Sequence, residues 1–158
     1  MGLSQSAMLG MAMRFEVVVD DHDLGSWSSC KGLNVTFKHT KVNELGQHEY
    51  SAFIPSRAEY STVVLQRALE KGDWDKTRTY LAKVSAADWM LDSVGLGGGG
   101  GGGSSARITL HDAKLGEVAS WTLANVLPTA WKGPALDAGG KQVALETLEL
   151  CHEGFLDG

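Results

Sequence analysis

The chain reads as a mainly β protein, a β-barrel or sandwich of two sheets with one α-helix packed against it. Three observations predict this. Several short runs alternate apolar and polar residues, one long stretch has a helical period, and turn residues separate the runs. With 158 residues, 43% of them hydrophobic, the chain has enough material for one domain with its own core. No stretch approaches the roughly 18 consecutive apolar residues of a membrane-spanning helix. A formal charge of -5, without a basic stripe, argues against nucleic acid as a resting partner.

Residues 1–13, rich in Met, Ser and Gly without a period, are read as a flexible N-terminal arm. They lack the basic start and long apolar stretch of a secretory signal, so synthesis in the cytoplasm is expected. Residues 14–158 form a single domain. Its first strand runs from Arg14 to Asp20, with Phe15, Val17 and Val19 on one face. Asp20-Asp21-His22-Asp23 punctuates the chain. A second run, with Leu33, Val35 and Phe37 in alternation, makes a hairpin-like pair with the first.

A polar stretch of Thr40, Lys41, Val42, Asn43, Glu44, Leu45, Gly46 and Gln47 leads into a third run, Tyr50, Ala52 and Ile54, which Pro55 ends. Ser61 to Leu69 fits either a strand or a helix capped near Gly72. The helix is expected over Asp75 to Asp92, where Tyr80, Val84, Ala87 and Leu91 recur at helical spacing. Next comes the 95–105 loop, with its glycine run from Gly97 to Gly103, which has no side chains to pack. As a flexible coil it would span roughly 17–20 Å.

Ala106 to Leu110 and Val118 to Asn125 make a further hairpin about Asp112 to Gly116. Val126-Leu127-Pro128 breaks it, and Lys132-Gly133-Pro134 forms an irregular corner that holds Trp131. In the last run, Val143 to His152, the apolar positions switch from odd (Val143, Leu145) to even (Leu148, Leu150). A bulge near Thr147, or a strand covered on both faces, would explain the switch.

Little in the sequence points to catalysis. The glycine run lacks the Lys and Ser or Thr of a phosphate-binding GxxxxGK[ST] loop. The Asp20 to Asp23 tetrad lacks calcium-loop spacing and reads as a solvated turn. His22, His39, His48, His111 and His152 form no metal-ligand pairs. Cys30 and Cys151 have no CxxC spacing and read as two reduced, buried thiols, and no GxSxG elbow is present. Among five tryptophans, Trp121 is assigned to the core, while Trp131 suits an interface or a packed corner equally. Glu146, Glu149 and Glu153 read as a charged outward face.

The last third carries an ordered set of motifs: Trp121-Thr-Leu-Ala-Asn125-Val-Leu-Pro128, Lys132-Gly133-Pro134-Ala-Leu136-Asp-Ala138, and Val143-Ala-Leu-Glu146-Thr147-Leu148-Glu149-Leu150-Cys-His152-Glu153-Gly154. This resembles the closing signature of the tail-tube protein family, the inner-tube subunits of contractile phage tails and phage-tail-like contractile injection systems, related to the type VI secretion tube protein. Arg14-Phe15, Leu24-Gly25-x-Trp27 and Lys31-Gly32-Leu33 agree with the family's first half. So does Leu65-x-Arg67, which tips Ser61 to Leu69 to a strand. The resemblance covers nearly all of residues 14–156, with the glycine run and Cys151 as departures.

The resemblance implies a structural, non-enzymatic role with no cofactor. Six copies would form a ring through edge strands, and rings would stack into a tube with a central channel for cargo or DNA. Thr40 to Gln47 would contact the neighbouring ring. Expected partners are the chain itself, sheath, baseplate and tube-terminating proteins, within a particle kept in the cytoplasm or released. An extracellular injection particle is ranked first and the tail tube of a contractile phage second. From another class, a monomeric ligand-binding β-barrel walled by tryptophans remains open.

Overall fold

The computed structural model describes residues 13–43, 45–46, 51–85, 104–135, 139–140 and 143–156. The expected arm, apart from Met13, the glycine run, Trp89 and the second half of the expected helix lie outside these residues. Among the described residues, ten strands and one helix make up the fold. In order they are β1 (Arg14–Val19), β2 (His22–Trp27), β3 (Ser29–Lys31), β4 (Val35–Val42), β5 (Ala52–Tyr60) and β6 (Val63–Ala68). There follow α1 (Asp73–Ser85), β7 (Ala106–His111), β8 (Glu117–Leu123), β9 (Leu127–Lys132) and β10 (Leu145–Cys151).

Two four-stranded antiparallel sheets face each other, in the orders β2-β1-β7-β8 and β3-β6-β10-β9, while β4 and β5 pair only with one another. The chain passes between sheets at both edges. Ser28 turns β2 into β3, its amide and hydroxyl both donating to the Gln66 carbonyl. At the far edge, residues 124–126 carry β8 into β9. The hydrogen-bond ladders do not run around these corners, so the architecture is a sandwich rather than a closed barrel.

Period-two alternation fills the space between the sheets. Val17 and Val19 of β1, Leu24 and Trp27 of β2, Ile108 of β7 and Leu123 of β8 point inward to meet Val63 and Leu65 of β6 and Leu148 and Leu150 of β10. Each such side chain contributes about 1.5–3 kcal/mol by leaving water. Helix α1 closes one end of the sandwich against β2, burying Thr77 and Tyr80 with Leu81 and Val84 beside them. Asp73 and Asp75 in its first turn and Lys83 in its last complement the helix dipole.

Several expectations need correction. The partner of β1 is β2, which pairs Val19 with His22 across the tight Asp20-Asp21 turn; the Leu33 to Phe37 run instead enters β4. Asp20 takes a positive φ of 52°, tolerable for a short polar side chain, and holds Ser105 with both its backbone and its carboxylate. The helix begins at Asp73 rather than Asp75, after Gly72. Neither Pro55 nor Pro128 ends a strand: each lies inside one, beside a register shift where the ladder lacks a bond that a proline could not donate. Trp131 consequently sits on β9, not in an irregular corner. No bulge near Thr147 interrupts the β10–β6 register; Val143 and Leu145 are simply exposed, and the irregularity lies at Glu149/Leu150 on the β9 side. Ser61 to Leu69 contains β6, as the resemblance implied.

Candidate assembly surface

The β4–β5 ribbon is the part of the fold that no core explains. Its strands pack on each other and hardly at all on any other strand or helix. Phe37, Phe53 and Ile54 are 65%, 62% and 54% exposed. The extra residue at the register shift falls on β5, so Phe37, His39 and Lys41 share one face with Phe53. On that face His39 meets Phe53 edge to face, with ring centroids 5.1 Å apart. Lys38 pairs with Glu59 at 2.9 Å, both side chains in solvent. A two-stranded ribbon is at best marginally stable alone in water. One with apolar side chains in solvent is built to be covered.

Of the expected ring-contact loop, Thr40, Lys41 and Val42 are the last residues of β4 rather than loop. Asn43 follows and accepts a hydrogen bond from the Ser51 hydroxyl at 2.7 Å. Leu45, fully exposed, and Gly46, with a φ of 96°, turn at the tip. Glu44 and Gln47 lie outside the described residues, as do Leu136 and Ala138.

The closing-signature residues separate into four places. Asn125, His152, Glu153 and Gly154 gather at the root of the ribbon. There Asn125 Nδ2 donates to Glu153 Oε1 at 2.8 Å, and His152 Nε2 lies 3.1 Å from the Ser61 carbonyl. Thr147 and Glu149 stand on the outer face of β10, where Gln66 Nε2 donates to Thr147 Oγ1 at 3.3 Å and Lys132 Nζ to Glu149 Oε1 at 3.2 Å. Trp121, Pro128, Gly133 and Pro134 line the β8–β9 side. Trp121 packs half-buried on the core, and Trp131 approaches Gly133 so closely that a Cβ there would lie 3.0 Å from the ring.

Glu146 is the fourth place, and it reverses an expectation. Instead of joining Glu149 and Glu153 on an outward face, it is fully buried and accepts a hydrogen bond from Arg67 Nε. Arg67, 3% exposed, uses all five of its donors. Nη1 reaches the Leu24 and Ser26 carbonyls at 2.6 and 3.4 Å; Nη2 reaches the Asp73 carbonyl at 3.0 Å and Thr77 Oγ1 at 2.8 Å. Its guanidinium carbon lies 4.0 Å from the Trp27 ring centroid. One side chain thus ties β2, β10 and the first turn of α1 together. A sequence signal was available: Arg67 continues the inward alternation of Val63 and Leu65, and Glu146 that of Leu148 and Leu150.

The other chemistry is muted. Both cysteines are free and only half-buried, and burial pushes the Cys30 thiol up to about 12, so it stays protonated. Burial also raises the Tyr80 hydroxyl well above its ordinary value. Among the described residues, no three His, Cys, Asp or Glu side chains are grouped to hold a metal ion. A cleft of about 680 Å³ beside the start of α1 is rimmed by the charged Arg14, Asp23, Glu70, Asp73 and Lys76, with Trp27 as the one tryptophan in its lining. Trp27 lies beneath Arg67, and Trp74 and Trp131 stack on each other at 4.5 Å. No described helix is long and apolar enough to cross a membrane.

A sandwich with one end helix and an uncovered ribbon is an assembly unit in outline, and comparison supplies its family. Residues 11–156 match the T4-like virus tail tube protein gp19 family. The chain belongs to that family. No curated protein matches the sequence. Among solved structures, a chain of the "PVC sheath-tube complex in extended state" of an extracellular contractile injection system superposes with a TM-score of 0.63 at 17% identity, covering 98% of this tail tube protein and 97% of that chain. A chain of the 6-fold symmetrised anti-feeding prophage baseplate gives 0.60 at 21% identity, covering 90% and 89%. A chain from the PVC sheath/tube terminator gives 0.60 at 19%, covering 90% and 91%. At these identities the likeness is one of fold.

Proposed function

We propose that this tail tube protein is the inner-tube subunit of a contractile, phage-tail-like injection particle. Six copies form a ring, rings stack into a tube, and the channel carries cargo. The observation that carries the reading is the β4–β5 ribbon: Phe37, Phe53 and Ile54 stand in water in one chain and are covered when a second copy packs on them. The likeness to a sheath–tube chain over nearly its whole length supports the particle class, and the 6-fold symmetry of the anti-feeding prophage baseplate supports sixfold rings. The segment Thr40 to Gln47, of which Thr40, Lys41 and Val42 end β4, is assigned to contact between rings. The role is mechanical, with no catalysis and no cofactor; sheath, baseplate and tube-terminating proteins are its partners.

The family itself favours a second reading, the tail tube of a contractile phage that conducts DNA. Capsid and portal genes beside this one select the phage, and an AAA+ ATPase gene without capsid genes selects the injection particle.

The test is negative-stain electron microscopy of the purified protein with its mass in solution. Sixfold rings or stacked tubes are expected from the parent, and neither from the Phe37→Ser/Phe53→Ser double variant. A parent that stays monomeric at high concentration, even with baseplate supplied as a nucleus, overturns the reading. So does a double variant that assembles like the parent.

A further inference from the structure

The ribbon meets the sandwich at one crowded place. Its entry and exit are joined by the Ser61 amide donating to the Asn34 carbonyl at 3.3 Å. Gly32, with a φ of 90°, crosses residue 62 so tightly that a Cβ there would lie 2.0 Å from the Thr62 carbonyl oxygen. Above this crossing, Tyr60 ends β5 and is held by the carboxy-terminal segment. Its ring centroid is 5.5 Å from that of His152 and 5.1 Å from that of Phe155. Gly154, at a φ of 150°, lies under the same ring, where an added Cβ would be 3.0 Å from two ring carbons. Only glycine fits both the backbone angle and the contact.

The same segment is fastened to the opposite sheet. The Glu153 amide donates to the Ala124 carbonyl at 2.8 Å, and the Ala124 amide to the Gly154 carbonyl at 2.9 Å. Asn125, at a φ of 49°, donates from its side chain to Glu153. Residue 126 continues the anchorage, its amide donating to the Ser104 carbonyl at 2.7 Å. Residues 152–155 therefore bridge the β8–β9 corner and the ribbon's root, with one hand on each.

We infer that residues 152–155 are a clasp that fixes the angle of the β4–β5 ribbon to the sandwich, and that this angle decides whether a second copy of the chain can dock. His152 and Tyr60 are positioning residues. They need not touch the neighbouring copy, yet a ribbon free to swing would present Phe37 and Phe53 in many directions and lose ordering entropy on each docking. The inference rests on the ribbon being the assembly face.

The experiment uses the full chain with Cys30→Ala and Cys151→Ala and spin labels at Thr40→Cys on the ribbon and Ser120→Cys on β8. Distance distributions are measured on the labelled chains, and tube yield by sedimentation on the same clasp variants without Thr40→Cys and Ser120→Cys. In the parent the distribution is narrow. In His152→Ala and in Tyr60→Leu it broadens and tube yield falls by about tenfold or more, while the cooperative melt of the sandwich is retained. His152→Gln, which keeps an amide donor for the Ser61 carbonyl, recovers both. A distribution as narrow as the parent's in both clasp variants overturns the inference whatever the tube yield, and so do tubes at parent level from either. Should the Phe37→Ser/Phe53→Ser variant assemble normally, the assembly reading itself fails. Should that variant lose tubes while the clasp variants stay narrow, only the clasp fails.

Discussion

The sandwich interior and the β4–β5 ribbon are written in the same alternating pattern but meet opposite fates. In β6 and β10 the inward apolar positions pack against the facing sheet across about 10 Å of core, and the two charged ones, Arg67 and Glu146, pair with each other between neighbouring strands. In β4 and β5 comparable alternation leaves Phe37 and Phe53 mostly in solvent, with only His39 of the ribbon itself against the Phe53 ring. The difference lies in connectivity. β6 and β10 belong to a sheet that the chain folds back over at both edges, whereas the long excursion from Asn34 to Ser61 pairs only with itself. Alternation reports that a face will be buried; it does not say whether the same chain or another copy will bury it.

The largest effect that would sharpen this contrast belongs to the interior. Glu146→Ala leaves buried Arg67 with only the more distant Asp73 carboxylate, 3.9 Å away, as counter-ion, and it should cost about 3–5 kcal/mol in a urea unfolding series. The fuller test is the Arg67→Met/Glu146→Leu double variant. A simple buried ion pair often tolerates an apolar replacement of that kind. Here Arg67 also serves the Leu24 and Asp73 carbonyls and Thr77, which the double variant would strand, so only part of the loss should be regained. Full recovery would reduce Arg67 to an ion-pair partner and dissolve its role in docking α1.

The root of the ribbon comes next, and its readout is pH. Burial lowers the His152 pKa below its ordinary 6.5, outweighing the hydrogen bonds to backbone that raise it. The unfolded chain then binds more protons than the folded one between the lowered value and 6.5. Stability from this group is fully present above 6.5, is lost as pH falls through that window, and falls no further below the folded value. The groups around the imidazole are Tyr60 on β5, Phe155 and the neighbouring Glu153. His152→Gln should therefore flatten the fall in urea midpoint between about pH 7 and about pH 5 relative to the parent. Parallel pH curves would show that the clasp holds equally well with a charged ring.

Much of this molecule was legible before its coordinates were. Period-two runs located β1, β7 and β8, helical spacing located α1, the ordered closing motifs located the family, and the resemblance tipped β6 to a strand. What failed shares a physical root, since each miss required knowing what lies across from a residue. Whether β1 pairs with the next six residues or with a run beginning at Leu33 depends on a tight turn in which Asp20 accepts a left-handed φ. Pro55 and Pro128 read as strand ends because the register shifts that accommodate them lie between strands. Glu146 read as solvated because its identity outweighed its parity, and its partner Arg67 is 79 residues away. The clasp was visible only as a motif, since Tyr60 and Gly154 meet through the fold alone.

The smallest effect completes the contrast by holding chemistry constant. Lys38 and Glu59 on the ribbon form an ion pair with good geometry at 2.9 Å, yet with side chains 57% and 51% exposed. Water screens the attraction, and ordering two long side chains offsets much of what remains, so such a pair contributes about 0.2–1 kcal/mol. Lys38→Ala should accordingly shift the urea midpoint only slightly, and by less still as salt is raised. A double-mutant cycle with Glu59→Ala isolates the pair from the rest of the ribbon. Repeated on assembled tubes, the cycle asks a second question. If a neighbouring copy covers this face of the ribbon, the pair leaves water, and its coupling energy should rise and lose its salt dependence. If the coupling stays small and screened in the tube, Lys38 and Glu59 face solvent there as well, and the covering copy must sit on the opposite face, where Phe37 and Phe53 stand.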